Sequence, residues 1–191
     1  MVNRYLIGFA VVFLLMIVGI ILLFSGGGEK PGPNAVKLKP LPEYSDTFVE
    51  TSMTIRGDIN GEDIHRLVRI TVGQYQRRLD VIAGYSGNII QTNTFSNSGA
   101  AYSEFLYALR DGGFLLKKKN VSEAAANDKG KCPLGNLFAF ELDDSGEELS
   151  YLWSSTCGKN AGTLGGSSSL LQSLFKAQIT DYSKLVSGVK L

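Results

Sequence analysis

The sequence predicts an α+β protein held by one apolar helix, and three observations carry that reading. Residues 5 to 24, YLIGFAVVFLLMIVGIILLF, run for 20 residues without a charge. From residue 49 onward, apolar and polar residues alternate around turn dipeptides, the pattern of antiparallel strands. Two later stretches, around 98–113 and 167–179, repeat their apolar residues at helical spacing instead. The expected architecture is an N-terminal transmembrane helix, then a domain of antiparallel strands (a four-stranded meander and a further hairpin) covered by two amphipathic helices.

At ~1.5 Å rise per residue, the first run is long enough as a helix to cross the ~30 Å hydrocarbon layer. A cleavable export signal has an apolar stretch of only ~7–15 residues closed by an A-x-A site. The stretch here is longer, lacks that site, and is followed by no cysteine that could take a lipid. Residues 1–24 therefore read as a permanent anchor whose partner is the lipid bilayer. A bare count of basic residues argues for the opposite orientation, since Lys30, Lys37 and Lys39 follow the helix and only Arg4 precedes it. Large domains, however, translocate largely regardless of charge, and two cysteines far along the chain suit an oxidising compartment. The expectation is a single-pass cell-membrane protein with a cytoplasmic N-terminus and an extracytoplasmic domain.

Residues 25–44, SGGGEKPGPNAVKLKPLPEY, are rich in Gly and Pro and read as a stalk. A flexible coil of that kind spans roughly 25 Å. Residues 45–191 suffice for one core and read as one domain. From Glu43 onward the chain has 15 basic and 17 acidic residues, so nucleic-acid binding has no electrostatic support.

Asn60-Gly61 favours a two-residue hairpin turn. Folding there pairs Val49 with Val72, Met53 with Val68 and Ile59 with Glu62. A second fold near Gln76-Arg77 pairs Val72 with Val81 and Ile70 with Ala83, although Gln-Arg is poor turn chemistry and a longer connection suits it better. A third fold at Ser86-Gly87 pairs Ala83 with Ile90. One face then stays apolar across four strands, and a slip of one residue would turn it to water. Tyr102, Phe105, Leu106 and Leu109 predict the first covering helix, with Ser98 as cap and Gly112 as stop. LFAFELDDSGEELSYLW (137–153) predicts another hairpin, and 167–179 the second helix, with Leu170, Leu171, Leu174 and Phe175 inward. The order strands, Gly/Ser-rich loop, helix thus occurs twice, without residue-level identity.

Cys132 and Cys157 flank the second hairpin symmetrically about Asp144-Ser145, which places the two sulfurs together at its open end. A disulfide closing a loop of this size contributes about 3 kcal/mol on the chain-entropy model. Metal ligation is disfavoured: the pair has no C-x-x-C spacing, and the single histidine is distant. Trp153 reads as core against the same hairpin.

Other segments carry residue types that could support chemistry. Arg56-Gly57-Asp58 spells a tripeptide that resembles the integrin-recognition motif of adhesive proteins, but it falls within a strand and not at a loop tip. His65 reads as a surface histidine on the same polar face as Arg56, with no partner to make it a general base. TLGGSSS (163–169) could present amides to an anion, yet it lacks the lysine of a phosphate loop and reads as a connection with a Ser cap. Lys117 to Lys119 could meet anionic headgroups at about 1 kcal/mol each, and more often such a run is a solvated loop. DDSGEE and DINGED both miss calcium-loop spacing, the latter having Arg69 where the bidentate Glu falls. Asn120-Val121-Ser122 is a glycosylation sequon, meaningful in a eukaryotic secretory pathway.

An apolar N-terminal helix, an antiparallel sheet, a late cysteine pair and Gly8-Phe9 together resemble a type IV pilin. That resemblance implies a filament subunit processed after Gly8. The chain departs from the family pattern at Phe13, where pilins carry glutamate, and at Gly26 to Pro33, which interrupts the helix that pilins continue into the head. The anchor, the stalk and LWSSTCGKNAGT also resemble uncharacterised signal-anchored exported proteins of small-genome candidate-phylum bacteria, and this resemblance carries no function. No acid, base and nucleophile cluster is signalled and no cofactor is called for. The expected role is therefore an extracytoplasmic binding or envelope-structural module with a protein partner at the cell surface, the alternatives being a filament subunit or a cell-surface enzyme.

Overall fold

In the computed structural model the chain divides into two units, 1–37 and Leu38–Leu191, and the residues described are 38–122, 126–158 and 162–191. The expected anchor, residues 5–24, and most of the stalk lie outside them. Among the described residues, no helix is long and apolar enough to cross a membrane.

The strands are β1 (Val49–Arg56), β2 (Arg66–Val72), β3 (Gln76–Ala83), β4 (Asn88–Ser96), β5 (Leu137–Asp144) and β6 (Glu147–Ser155). The helices are α1 (Gly99–Asp111), α2 (Ser168–Ala177) and the one-turn α3 (Tyr182–Leu185). All six strands join one antiparallel sheet in the order β4-β3-β2-β1-β5-β6. The meander and the later hairpin are thus a single sheet, because β5 adds to the free side of β1.

One face of the sheet carries the main core. Met53, Val68, Ile70, Leu79, Phe140 and Leu142 lie fully buried on it beneath α1 and α2. Phe105 meets Phe175 edge-on at 5.3 Å between ring centroids, and Phe114 meets Phe140 in the same way at 6.3 Å. Such offset geometries suit the ring quadrupoles. α1 forms where its apolar residues predicted: Ser98 Oγ accepts from the Ala101 amide, Gly112 follows the last turn, and Tyr102, Phe105, Leu106 and Leu109 are buried. α2 is capped by Ser167 and buries Leu171 and Phe175, with Leu174 at the core margin. Leu170, expected inward, is 46% exposed, because at ~3.6 residues per turn it stands about 100° around the helix from Leu171, outside the stripe that Leu171 and Phe175 centre.

The strand registers correct the expected ones. Met53 pairs with Ile70 and Thr51 with Val72, two residues from the anticipated alignment. Val68 pairs with Val81 and Ile70 with Leu79, four residues away. Both slips are even, so the correct side chains still face the core. The first slip arises because Asn60-Gly61 does not close a two-residue hairpin: residues 57–65 form a longer connection between β1 and β2. The second arises because the turn sits at 73–75, where the Gly73 amide donates to the Gln76 carbonyl at 2.9 Å. The β5–β6 turn is Ser145-Gly146, at φ +55° and +93°, the positive-φ pair that a two-residue hairpin favours. β4 departs most from expectation, since Ile89 and Ile90 are exposed and the apolar face does not reach the sheet's edge.

Residues 38–44, read as the end of the stalk, belong to the domain. Leu41–Tyr44 form a 3-10 turn whose Leu41 and Tyr44 are buried in the core. Farther along, the glycine of TLGGSSS marks a close approach: a Cβ on Gly166 would stand 2.4 Å from the Gly113 carbonyl oxygen. The Ser154 and Ser168 hydroxyls meet at 2.6 Å beside it. That segment ties α2 to the end of α1.

Candidate ligand groove on the helix-free face

The second face of the sheet is not simply solvated. Alternation places Thr54, Arg56, Leu67, Arg69, Ile82, Ala139, Glu141, Tyr151 and Trp153 on this side. Two irregular segments rise over it, the β1–β2 connection and residues 126–131. Between them lies a groove of about 770 Å³. Its floor combines apolar Leu67, Ile82 and Ile89 with polar Arg69, Glu141 and Tyr151.

The β1–β2 connection is held by the lone histidine. His65 is 3% exposed, not a surface residue. Its ring stacks on Tyr85 with centroids 4.0 Å apart and planes 8° from parallel, and its Nδ1 lies 3.1 Å from the Asp58 carbonyl. The Tyr85 hydroxyl accepts from the Asn60 amide at 3.1 Å and donates to the Asn60 carbonyl at 2.9 Å. Glu62 closes the same wall by accepting from the Tyr85 amide at 2.9 Å and the Ser86 hydroxyl at 3.1 Å. The Tyr85 amide, with further help from Ser86 and His65, holds the Glu62 carboxyl below its ordinary range. Asn60-Gly61 therefore contributes a wall of the groove instead of a tight turn.

The opposite wall is pinned by charge. Arg56 forms an ion pair with Asp128 and donates to the Tyr151 hydroxyl at 2.5 Å, and that hydroxyl donates in turn to Asp128. Burial is the main cause that raises the Tyr151 phenol above its usual pKa, with Arg56 opposing it. Trp153 packs on Leu137 and Ala139 and donates from Nε1 to the Ala126 carbonyl at 3.1 Å. Arg56, expected to face solvent beside Asp58, is consequently half-buried and engaged, and the Arg-Gly-Asp tripeptide is no mobile tip. Gly57 itself is covered: a Cβ there would stand 2.4 Å from the Leu191 carbonyl carbon.

At the centre of the floor, Arg69 donates from Nε to Thr54 Oγ1 at 3.0 Å, and Thr54 donates to Glu141 at 3.4 Å. Among the described residues Arg69 forms no ion pair. Arg69 lines the groove, and its guanidinium carries donors beyond the Nε that Thr54 takes. Nearer the edge, buried Asp80 is satisfied by Arg78 Nε and the Thr92 hydroxyl, both at 2.8 Å.

Cys132 and Cys157 are joined by a disulfide with their Cα atoms 5.3 Å apart. It closes the segment that carries the charged wall back onto the end of β6. Lys117 to Lys119 form a loop whose main chain bridges to residues 163 and 164. Asn120 adopts a left-handed conformation at φ +58°. Among the described residues, no group of three or more His, Cys, Asp or Glu side chains could hold a metal ion.

The sequence pattern marked these strand positions as polar-facing but did not bring Arg69, Glu141, Tyr151 and Asp128 together. The available signal was an arginine, a glutamate and a tyrosine at outward positions of β2, β5 and β6, where solvated threonine would serve the sheet equally well. Comparison of the sequence with protein-family models and with curated proteins gives no match.

Proposed function

We propose that this chain is a membrane-anchored extracytoplasmic binding module, held in the bilayer by residues 5–24, with the groove on the helix-free face as its ligand surface. The observation that carries the reading is the groove itself: two walls fixed by side-chain contacts, an apolar strip, and an arginine at its centre that forms no ion pair among the described residues. Sites of this kind, concave and largely apolar with a few placed polar groups, are where ligands bind. The disulfide supports an oxidising compartment, where such bonds persist. An apolar segment bearing a carboxylate or carbonyl acceptor, as a partner protein at the cell surface would present, matches this lining.

The test uses the full chain in detergent as bait on an envelope extract. Binding through the groove predicts that Arg69→Glu loses the retained component, whereas Ser173→Glu on the outer surface of α2 keeps it, both variants giving native circular dichroism. A component indifferent to Arg69, or no retained component, overturns the groove. Release of the full chain from vesicles by an alkaline wash overturns the anchor.

A further inference from the structure

We propose that the free edge of β4 is a self-association site, on which a second copy of this chain adds its own β4 antiparallel to make a continuous twelve-stranded sheet. The two outer strands of the sheet are treated differently. β6 is protected: it opens with Glu147 and Glu148, it is bulged opposite Leu142 and Asp143, and its outer side is occupied where the amides of Thr163 and Leu164 donate to the Trp153 carbonyl at 2.9 and 3.0 Å. Strand edges are ordinarily guarded by such charges, bulges and covering loops, because their unpaired amides and carbonyls template further pairing.

β4 has little of this. Its nine residues, NIIQTNTFS, include no charge and no proline. Its single irregularity lies near the start, opposite Val81 and Ile82, so that 91–96 pairs with β3 as an unbroken ladder. Among the described residues, no hydrogen bond from any element other than β3 reaches the main chain of 88–95. An antiparallel partner there would satisfy those groups as β3 does on the inner side.

The strand's own composition identifies the occupant. Two copies of a neutral strand meet without like-charge repulsion. A two-fold axis normal to the sheet keeps Gln91, Asn93 and Phe95 on the helix side and Thr92 and Thr94 on the other, giving amide and Thr–Thr cross-strand pairs of the favourable kind. The same axis brings the Ile89-Ile90 end of one copy beside the Tyr75–Phe95 end of its partner. Ile89, Ile90 and Tyr75 are 54%, 53% and 66% exposed in the single chain, and the dimer would cover them. The inference is argued from β4 and not from the groove, although Ile89 at the start of the strand belongs to both, and the two grooves would lie on one face of the joined sheet.

Sedimentation equilibrium of the full chain in detergent tests it. The expected result is a species of twice the 20.7 kDa protomer mass, weakened at least ten-fold by Thr94→Lys, which sets two cations near the axis. A full chain carrying Thr94→Cys is expected to cross-link under mild oxidation, while Ser173→Cys on α2 is not. A chain that stays monomeric at all concentrations overturns the proposal. So does a dimer indifferent to Thr94→Lys that fails to cross-link at 94, which would assign association to another surface. Circular dichroism of each variant confirms that the fold is retained.

Discussion

Tyr102 of α1 donates its phenol hydrogen to the main-chain oxygen of Val49 in β1 at 2.7 Å, and both residues are buried. This bond fixes the first covering helix to the start of the central strand. Tyr102→Phe leaves a buried carbonyl without its donor, so urea unfolding should show a loss of about 1–2 kcal/mol. Burial also raises the phenol's pKa far above the ordinary tyrosine value, with a smaller contribution from Glu50. Because the folded value is the higher one, the unfolded chain ionises first. The stability this residue contributes is therefore intact below about pH 10 and declines above it. An ultraviolet titration should find one tyrosine that resists ionisation until the protein unfolds.

The Cys132–Cys157 bond should matter on a comparable or larger scale. On the chain-entropy model, closing a loop with a sequence separation of 25 residues contributes about 3 kcal/mol. A Cys132→Ser/Cys157→Ser chain should lose that much in denaturant unfolding. Hydrogen exchange should rise first in 126–136, the segment the bond ties to β6.

The ion pair of Arg56 with Asp128, reinforced by Tyr151, holds one wall of the groove. Arg56→Met keeps much of the side-chain stem and removes the charge, leaving the Asp128 carboxylate, among the described residues, with Tyr151 alone. The expected cost is about 1.5–3 kcal/mol, the range for hydrogen bonds to charged groups. The Trp153 fluorescence should shift as the contact of its indole with Ala126 loosens.

Glu62 and Glu148 respond to pH in opposite senses. The Tyr85 amide and Ser86 lower the pKa of Glu62, so what it contributes is present above the ordinary carboxylate value and is lost as pH falls through the folded one. The Tyr85 amide resonance should report that midpoint, below 4.5. Glu148 is raised, first by burial and then by Glu141 and Asp143. It therefore favours the folded state most at low pH and less as pH rises through its folded value. Glu148→Gln should raise stability at pH 7 by no more than about 0.5 kcal/mol and give no gain at pH 3.

Most of the secondary structure was legible in local pattern. The helical spacing of Tyr102, Phe105, Leu106 and Leu109, with Ser98 before them, needs only residues within one turn of each other. Alternation in β1, β2 and β3 chose the inward face correctly even though both hairpin alignments slipped. An even slip preserves the side of every residue, so burial alone cannot detect it. What separates the alignments is loop geometry. There Asn60-Gly61 misled, because His65 and Tyr85 stack across the connection and hold it open, a contact between residues twenty positions apart.

The sequence by itself determined which residues of β1, β2, β3 and the first helix turn inward, where helices begin and stop, and which end of the second hairpin brings the two cysteines together. All of these are short-range, set by backbone geometry and the periodicity of apolar side chains. Only the tertiary structure decided that β5 joins β1, that Arg69, Glu141, Tyr151 and Asp128 share one groove, and that β4, among the described residues, pairs on one side alone. Strand order depends on which long loop closures the packed core repays. That balance is summed over the whole domain and written in no single stretch of it.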